Sequence, residues 1–196
     1  MNANTITRRA ALRALAAAAC APLLARAAVP MPGDSIYRLP ATLADQHGRS
    51  FELSSLRGTP MLFSMFYTSC EMVCPMIFET IEATRKALHA SAQPPMRVLM
   101  VSFDPARDTV AALKKTATAH GCDDHWTLAR TDDATVRKIA AVMGVQYRKL
   151  SNGEFNHSTL IDVLDKRGRI VARSGKLGSV DLVLVNAAKQ AASVDG

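Results

Sequence analysis

Residues 66–75, FYTSCEMVCP, place two cysteines between the end of an apolar run and a proline. The apolar run, Met61–Tyr67, is short and bounded, which predicts a buried strand. Pro75 suits the first position of a helix, where its missing N–H is not needed, so we predict a helix over Pro75–His89. Two cysteines at such a strand-to-helix junction can form a disulfide or bind a soft metal. The positive end of the helix favours a thiolate at Cys74.

The segments on either side of this motif alternate between strands and helices. A hairpin (Thr42–Asp45 and Ser50–Leu53) is predicted before it. The elements predicted after it are a strand at Met96–Phe103, a helix from Asp108 as N-cap through His120, a strand at Trp126–Ala129, a helix from Asp132 or Asp133 to near Gly144, strands at Val145–Leu150 and Thr159–Leu164 around the turn 151–153, a strand at Arg169–Arg173, and a helix at Val180–Ala192. This order predicts an α/β, thioredoxin-like fold: a central mixed β-sheet flanked by helices, with an N-terminal β-hairpin extension.

Residues 1–27 differ in composition from the rest of the chain. They hold four arginines and no acid, a pair (Arg8-Arg9) before an Ala/Leu run, and an A-x-A pattern at 25–27. This layout predicts a signal peptide of the twin-arginine kind, and hence a periplasmic protein. The Pro-rich stretch 28–40 is predicted to be a linker or extended arm, and 41–196 the functional domain.

Two other interpretations of the N-terminal segment are weaker. A transmembrane helix needs about 20 uninterrupted apolar residues, whereas charged residues and a proline interrupt this run. Cys20 follows three alanines and is a candidate lipid acceptor, but the residue three positions before it is Ala17 rather than a bulky aliphatic. Membrane association through a clear transmembrane helix is therefore not expected.

The net charge of +7 does not indicate a nucleic-acid partner. Residues 1–27 contribute four of these positive charges, so the remaining chain carries only +3. Aromatic residues make up 5% of the chain, which leaves little surface for stacking on bases. We predict no nucleic-acid partner.

Cys70, Cys74 and Cys122 remain when the N-terminal segment is set aside. An odd number in an oxidising compartment indicates one functional pair and one bystander. A purely structural Cys70–Cys74 disulfide would close a small loop and remove little entropy from the unfolded chain. We therefore favour a functional role for this pair, with Cys122 as a single structural or surface thiol.

His157 is the histidine that best completes a site with the cysteine pair. Redox thioredoxins separate their cysteines by two residues and place a proline before a later strand, opposite the pair. Here the separation is three, all prolines lie at or before Pro105, and Asn156-His157-Ser158-Thr159 precedes the later strand. Two thiolates and one imidazole suit Cu(I) and tolerate Cu(II).

Three motifs in order resemble the SCO/SenC/PrrC family of thioredoxin-fold, copper-binding proteins. They are F-Y-T-x-C-x-x-x-C-P, then V-S-F-D-P-A-R-D-T, then N-H-S-T-L-I-D-V-L-D-K-R-G-R-I-V. The resemblance implies that Cys70, Cys74 and His157 are copper ligands and that Asp104–Asp108 borders the site. It also implies a role in assembling the binuclear copper site of cytochrome c oxidase. The expected partners are the copper-bearing subunit of that oxidase or a similar cuproprotein, a periplasmic copper donor and a thiol reductant.

The chain departs from the family pattern around the cysteines. The family often has a glycine where Phe66 stands, a histidine at Ser69, and Pro-Asp in place of Glu71-Met72. The methionine introduced there, and Met76 after it, carry soft thioethers. Methionines on a helix beside a core nevertheless pack more often than they bind.

Two further functions stay open from the sequence. A redox-active Cys70–Cys74 pair suits a thiol–disulfide oxidoreductase that reduces target cysteines without a required metal, and such activity can coexist with copper binding. A zinc site built from this pair together with Cys122 and His125 has an admissible spacing. We expect the protein not to be an enzyme in the strict sense, with thiol–disulfide oxidoreductase activity as the open alternative.

Overall fold

A seven-stranded mixed sheet forms the centre of the described chain. The structure, a computed structural model, describes residues 30–193. The strands are β1 Thr42–Asp45, β2 Ser50–Glu52, β3 Met61–Phe66, β4 Arg97–Ser102, β5 Trp126–Arg130, β6 Tyr147–Lys149, β7 Phe155–His157, β8 Ile161–Leu164 and β9 Ile170–Ser174, and the helices are α1 Val73–Ala90, α2 Val110–Ala119, α3 Asp133–Val142 and α4 Leu182–Ser193. The order in the large sheet is β2-β1-β5-β4-β3-β8-β9, while β6 and β7 pair separately. The predicted α/β, thioredoxin-like fold with its N-terminal hairpin is confirmed.

The central strands β3 and β4 are parallel and β8 runs antiparallel to β3. Every residue of β3 is buried, as its largely apolar sequence predicts for a strand covered on both faces. Helix α1 packs against α4, and both cover the β3–β8–β9 side of the sheet. The aromatic ring of Phe78 on α1 stacks on Trp126 at 5.4 Å and extends this core toward β5.

The sheet register brings three connections to one edge. Because β3 and β4 are parallel, with Phe66 paired to Ser102, the loops that leave both strands emerge at the same edge. Antiparallel β8 starts at that edge, since Ile161 pairs with Ser64. The Ser64 hydroxyl also donates to the Leu160 carbonyl at 2.7 Å, which fixes the chain just before β8. Residues after β3, after β4 and before β8 therefore meet.

The N-terminal part of the fold differs from the predicted linker. Residues 28 and 29 lie outside the described part, but Ile36 and Tyr37 form a short 3-10 helix and are buried. The Ile36 N–H donates to the Gly168 carbonyl at 3.0 Å. Apolar burial therefore makes this stretch part of the domain. The predicted signal segment 1–27 and Cys20 lie outside the described residues.

Two element predictions were also wrong. Asp108 does not cap α2, because Thr109 is the N-cap and its side chain accepts from the Ala112 N–H. Strand β6 pairs with β7, at residues 155–157, rather than with the segment 159–164. The turn residues were recognised, but a three-residue strand is too short to show a periodic pattern.

Within residues 30–193, no helix combines the length and the apolar character needed to cross a membrane.

Candidate metal centre

The three candidate ligands from the sequence converge at the sheet edge. Ligand atoms of Cys70, Cys74 and His157 all lie within 4.8 Å of one another. Cys74 is buried, whereas Cys70 and His157 are partly exposed. Two sulfurs and one imidazole nitrogen at this separation match the donor set that a soft, low-coordinate metal ion takes.

Cys70 is held by the start of helix α1. The helix begins at Val73, two residues earlier than predicted, so Cys74 lies in its first turn. The Cys74 backbone N–H donates to the Cys70 sulfur at 3.3 Å. Thus the unpaired N–H groups of the helix N-terminus point at the first cysteine of the pair.

The thiolate is therefore favoured at Cys70, and the prediction from the sequence that Cys74 carries it was wrong. Donation from the Cys74 thiol, helped by backbone N–H groups, lowers the pKa of Cys70 to about 4. The pKa of Cys74 is raised, because its proton is held by the Cys70 sulfur and because the side chain is buried. The pair therefore consists of one thiolate that accepts a hydrogen bond from one thiol.

His157 presents one nitrogen to the cysteines because the other is already bonded. Its Nδ1 lies 3.0 Å from the Ser158 carbonyl oxygen, which can only accept, so Nδ1 carries the proton. Nε2 then keeps the lone pair that a metal ion needs. The rings of Tyr67, at 5.9 Å, and Phe103, at 5.0 Å, hold the imidazole in place.

Tyr67 and Glu154 connect the cysteine side of the site to the histidine side. The buried Tyr67 hydroxyl donates to Glu154 Oε2 at 2.6 Å. Burial, followed by that bond and contact with Cys70, raises the pKa of Tyr67, so the phenol stays protonated. This link was missed from the sequence, because Glu154 lies in a turn where an acidic residue is ordinary.

Asp108 and Arg107 connect the same two sides through the loop 104–108. The Asp108 carboxylate accepts from the Thr68 N–H at 3.1 Å and from its hydroxyl at 2.5 Å. Arg107 pairs with Asp104 and donates to the Gly153 carbonyl at 2.7 Å. The loop therefore borders the site, as the resemblance implied, and it holds the cysteine loop and the β6–β7 hairpin at once.

Cys122 and His125 do not join the cysteine pair. Among residues 30–193, one group of three or more potential metal ligands comes together, and it consists of Cys70, Cys74 and His157. Burial raises the pKa of Cys122 to about 12, which makes it an unreactive thiol. The zinc-site alternative is therefore wrong, because α2 and the following loop keep Cys122 away from the site.

Comparison with known proteins identifies one family. The family model SCO1/SenC matches residues 31–191. A SCO1 protein homolog of Bacillus subtilis is 32% identical over 88 residues, covering 44% of this chain and 45% of that protein. The mitochondrial protein SCO2 homolog of Bos taurus is 33% identical over 75 residues, covering 38% of this chain and 28% of that protein. The matched stretches thus span less than half the length of these curated relatives.

Solved structures share the fold over most of their length. Bradyrhizobium japonicum ScoI with copper bound is 28% identical, with a TM-score of 0.63, covering 78% of this chain and 96% of that one. Arabidopsis thaliana ScoI with copper bound has a TM-score of 0.70 at 19% identity and the same coverages. BsSco has a TM-score of 0.68 at 21% identity, covering 80% of this chain and 94% of that one. It is described as a member of the Sco family of cytochrome c oxidase assembly proteins with an identified disulfide switch.

Proposed function

Because the chain belongs to the SCO1/SenC family, we propose that Cys70, Cys74 and His157 bind one copper ion as cargo. The observation that carries this proposal is the convergence of two sulfurs and one imidazole nitrogen within 4.8 Å. Copper bound in solved relatives supports the identity of the metal. The Cys70 thiolate binds directly, and the Cys74 thiol loses its proton on binding, so copper affinity falls at acid pH.

The proposed role is to deliver copper to the binuclear copper site of cytochrome c oxidase, or to prepare the cysteines of that site. The relative described as a cytochrome c oxidase assembly protein supports this acceptor. The site suits transfer because it offers three ligands, of which Cys70 and His157 are partly exposed. An incoming acceptor ligand can therefore bind the copper before the buried Cys74 releases it. The sequence of residues 1–27 supports a periplasmic location for this exchange.

A second candidate function is reduction of the acceptor's cysteines without a metal. The low pKa of Cys70, with Cys74 beside it, favours this chemistry. The Cys70 thiolate attacks the acceptor disulfide and displaces one acceptor thiolate, and Cys74 then loses its proton and displaces the other. The products are a Cys70–Cys74 disulfide and two acceptor thiols, so two electrons pass to the acceptor.

The test mixes the protein with the isolated copper-bearing domain of the oxidase under anaerobic conditions. In one arm, Cu(I)-loaded protein meets reduced apo-domain, and copper is followed by the domain's visible absorption after oxidation. In the other arm, copper-free reduced protein meets the disulfide form, and new acceptor thiols are counted. Copper transfer by the wild type but not by His157→Ala supports delivery. Disulfide reduction that persists in His157→Ala, with no copper transferred by either protein, would replace delivery with reduction.

A further inference from the structure

Met72 and Met76 differ from the other methionines of the fold in their exposure. Met72 is 80% exposed and Met76 is 40% exposed. Five others are buried in the core: Met61, Met65, Met96, Met100 and Met143. A methionine contributes to folding when its side chain leaves water, so burial does not account for Met72 and accounts for Met76 only in part.

The two exposed methionines lie on one face of the helix that carries the cysteines. Met72 has helical backbone angles at the N-cap, and Met76 lies one turn later in α1. Residues four apart on a helix have β-carbons about 5–6 Å apart, so two long, flexible methionine side chains can meet. They alternate in sequence with Cys70 and Cys74, which are spaced in the same way.

Gly178 supports Met76 at this place. A β-carbon at Gly178 would lie 3.4 Å from the terminal methyl carbon of Met76. The Gly178 N–H donates to Thr80 Oγ1 at 2.8 Å, which holds its loop against α1. Met76 is therefore positioned along one side, whereas Met72 is free to close over an ion.

We propose that Met72 and Met76 form a second, weaker Cu(I) site through which copper reaches the cysteine pair. Thioethers are soft ligands that select Cu(I), and they are neutral, so the ion binds there without release of a proton. The inference rests on the proposed function for the onward step, in which the cysteine pair takes the ion. Copper stays Cu(I) in that step: bonds to the two thioether sulfurs break, bonds to the sulfurs of Cys70 and Cys74 form, and the Cys74 proton passes to water.

Burial explains why the cysteine pair needs an entry site. Cys74 is only 2% exposed, so a hydrated ion cannot reach both sulfurs from solvent at once. The thioether pair replaces part of the ion's hydration shell at the surface, with Met72 two residues along the chain from each cysteine. A weak first site beside a strong second one gives a downhill path inward.

The first test isolates the thioether pair from the cysteines. Protein with ¹³C-methyl methionine and the substitutions Cys70→Ser and Cys74→Ser is titrated with Ag(I), a redox-inert stand-in for Cu(I), and followed by NMR. We expect the Met72 and Met76 methyl signals to shift together and to saturate at one ion per chain. The buried methionine methyls should stay in place, which also shows that the variant is folded.

The same titration distinguishes the site from general binding of silver by surface methionines. Met72→Leu should abolish the shift at Met76, because one thioether alone binds weakly. Met31→Leu, at a partly buried methionine before β1, should change neither signal. Independent shifts of the two methyls would overturn the proposal, as would shifts that require the cysteines.

The second test keeps the cysteines and measures loading. Reduced protein is mixed with a Cu(I)–chelator complex in a stopped-flow instrument, and thiolate-to-copper absorption is recorded. Met72→Leu/Met76→Leu should load about tenfold more slowly, the factor that 1.4 kcal/mol of lost stabilisation gives, and should still bind one copper. An unchanged rate overturns the entry role. Absence of copper binding in the wild type refutes the proposed function instead, while the silver titration still reports on the methionines.

Discussion

Replacement of Asp108 by alanine should weaken the fold at the place where two loops of the site meet. The Asp108 side chain is fully buried. It accepts two hydrogen bonds from Thr68, and a third from the Ser102 hydroxyl at 2.5 Å. These bonds tie the loop that leads to Cys70 to the end of β4. Alanine removes the acceptor of all three.

The size of the loss follows from the surroundings of the three donors. Ser102 is fully buried, and an unsatisfied buried hydroxyl costs about 1–3 kcal/mol. The Thr68 donors lie nearer to solvent and can turn to water, so about 1 kcal/mol covers both. Burial raises the pKa of Asp108, so removing the carboxyl returns part of this loss. We expect Asp108→Ala to lower the free energy of unfolding by about 2 kcal/mol, or the melting temperature by about 4–8 °C. Asp108→Asn keeps one acceptor oxygen and should cost about 1 kcal/mol.

The assay is urea denaturation of the reduced, metal-free protein, with Asp124→Ala as the matched control at an exposed aspartate. The control should unfold within about 0.5 kcal/mol of the wild type. A result for Asp108→Ala as small as that of the control would refute the reasoning that Asp108 joins the two loops. Equal losses for the alanine and asparagine variants would show that the lost acceptor is not the cause.

Three more predictions concern Asp108, the cysteine pair and Arg107. Burial raises the pKa of Asp108 in the folded state, so the stability that this group contributes is present at acid pH and falls as the pH rises through that pKa. The loss of unfolding free energy in Asp108→Asn, measured by denaturation at several pH values, should therefore be largest at acid pH. Cys74→Ala removes the thiol that donates to Cys70 and should raise the pKa of Cys70 from about 4. Alkylation of Cys70 by iodoacetamide at pH 6 should then be slower than in the wild type; unchanged alkylation would contradict the assigned thiolate. Arg107→Ala removes one of the hydrogen bonds that hold the β6–β7 hairpin and should weaken copper binding about tenfold in competition with a chelator, whereas Arg137→Ala, at an exposed arginine on α3, should have no effect.

The parts of the fold that the sequence predicted are those with strong hydrophobic patterns. The apolar run of β3 and the helix beginning near Pro75 both have the predicted type, to within two residues at each boundary. The three-residue strand β7 is too short for such a pattern, and its pairing with β6 depends on packing by Tyr67 and Phe103. Only the folded sheet brings these rings together.

The candidate ligands were predictable, but their protonation was not. The position of His157 before β8 indicated that it would face the cysteines, and the structure brings it there. Which cysteine carries the thiolate depends on where the N–H groups of α1 point, and a two-residue shift of the helix start moves that direction from Cys74 to Cys70. Likewise, the sequence indicated Asp108 as a helix cap, because an aspartate just before a helix gives the same local sequence whether its side chain caps the helix or is buried.

The central claim, that two cysteines and one histidine bind one copper, is tested most directly by anaerobic Cu(I) titration followed by X-ray absorption. The wild type and His125→Ala should each bind one copper, with two sulfur neighbours and one nitrogen neighbour. His157→Ala should lose the nitrogen neighbour and bind more weakly. Equal spectra and affinities for the two histidine variants would contradict the account.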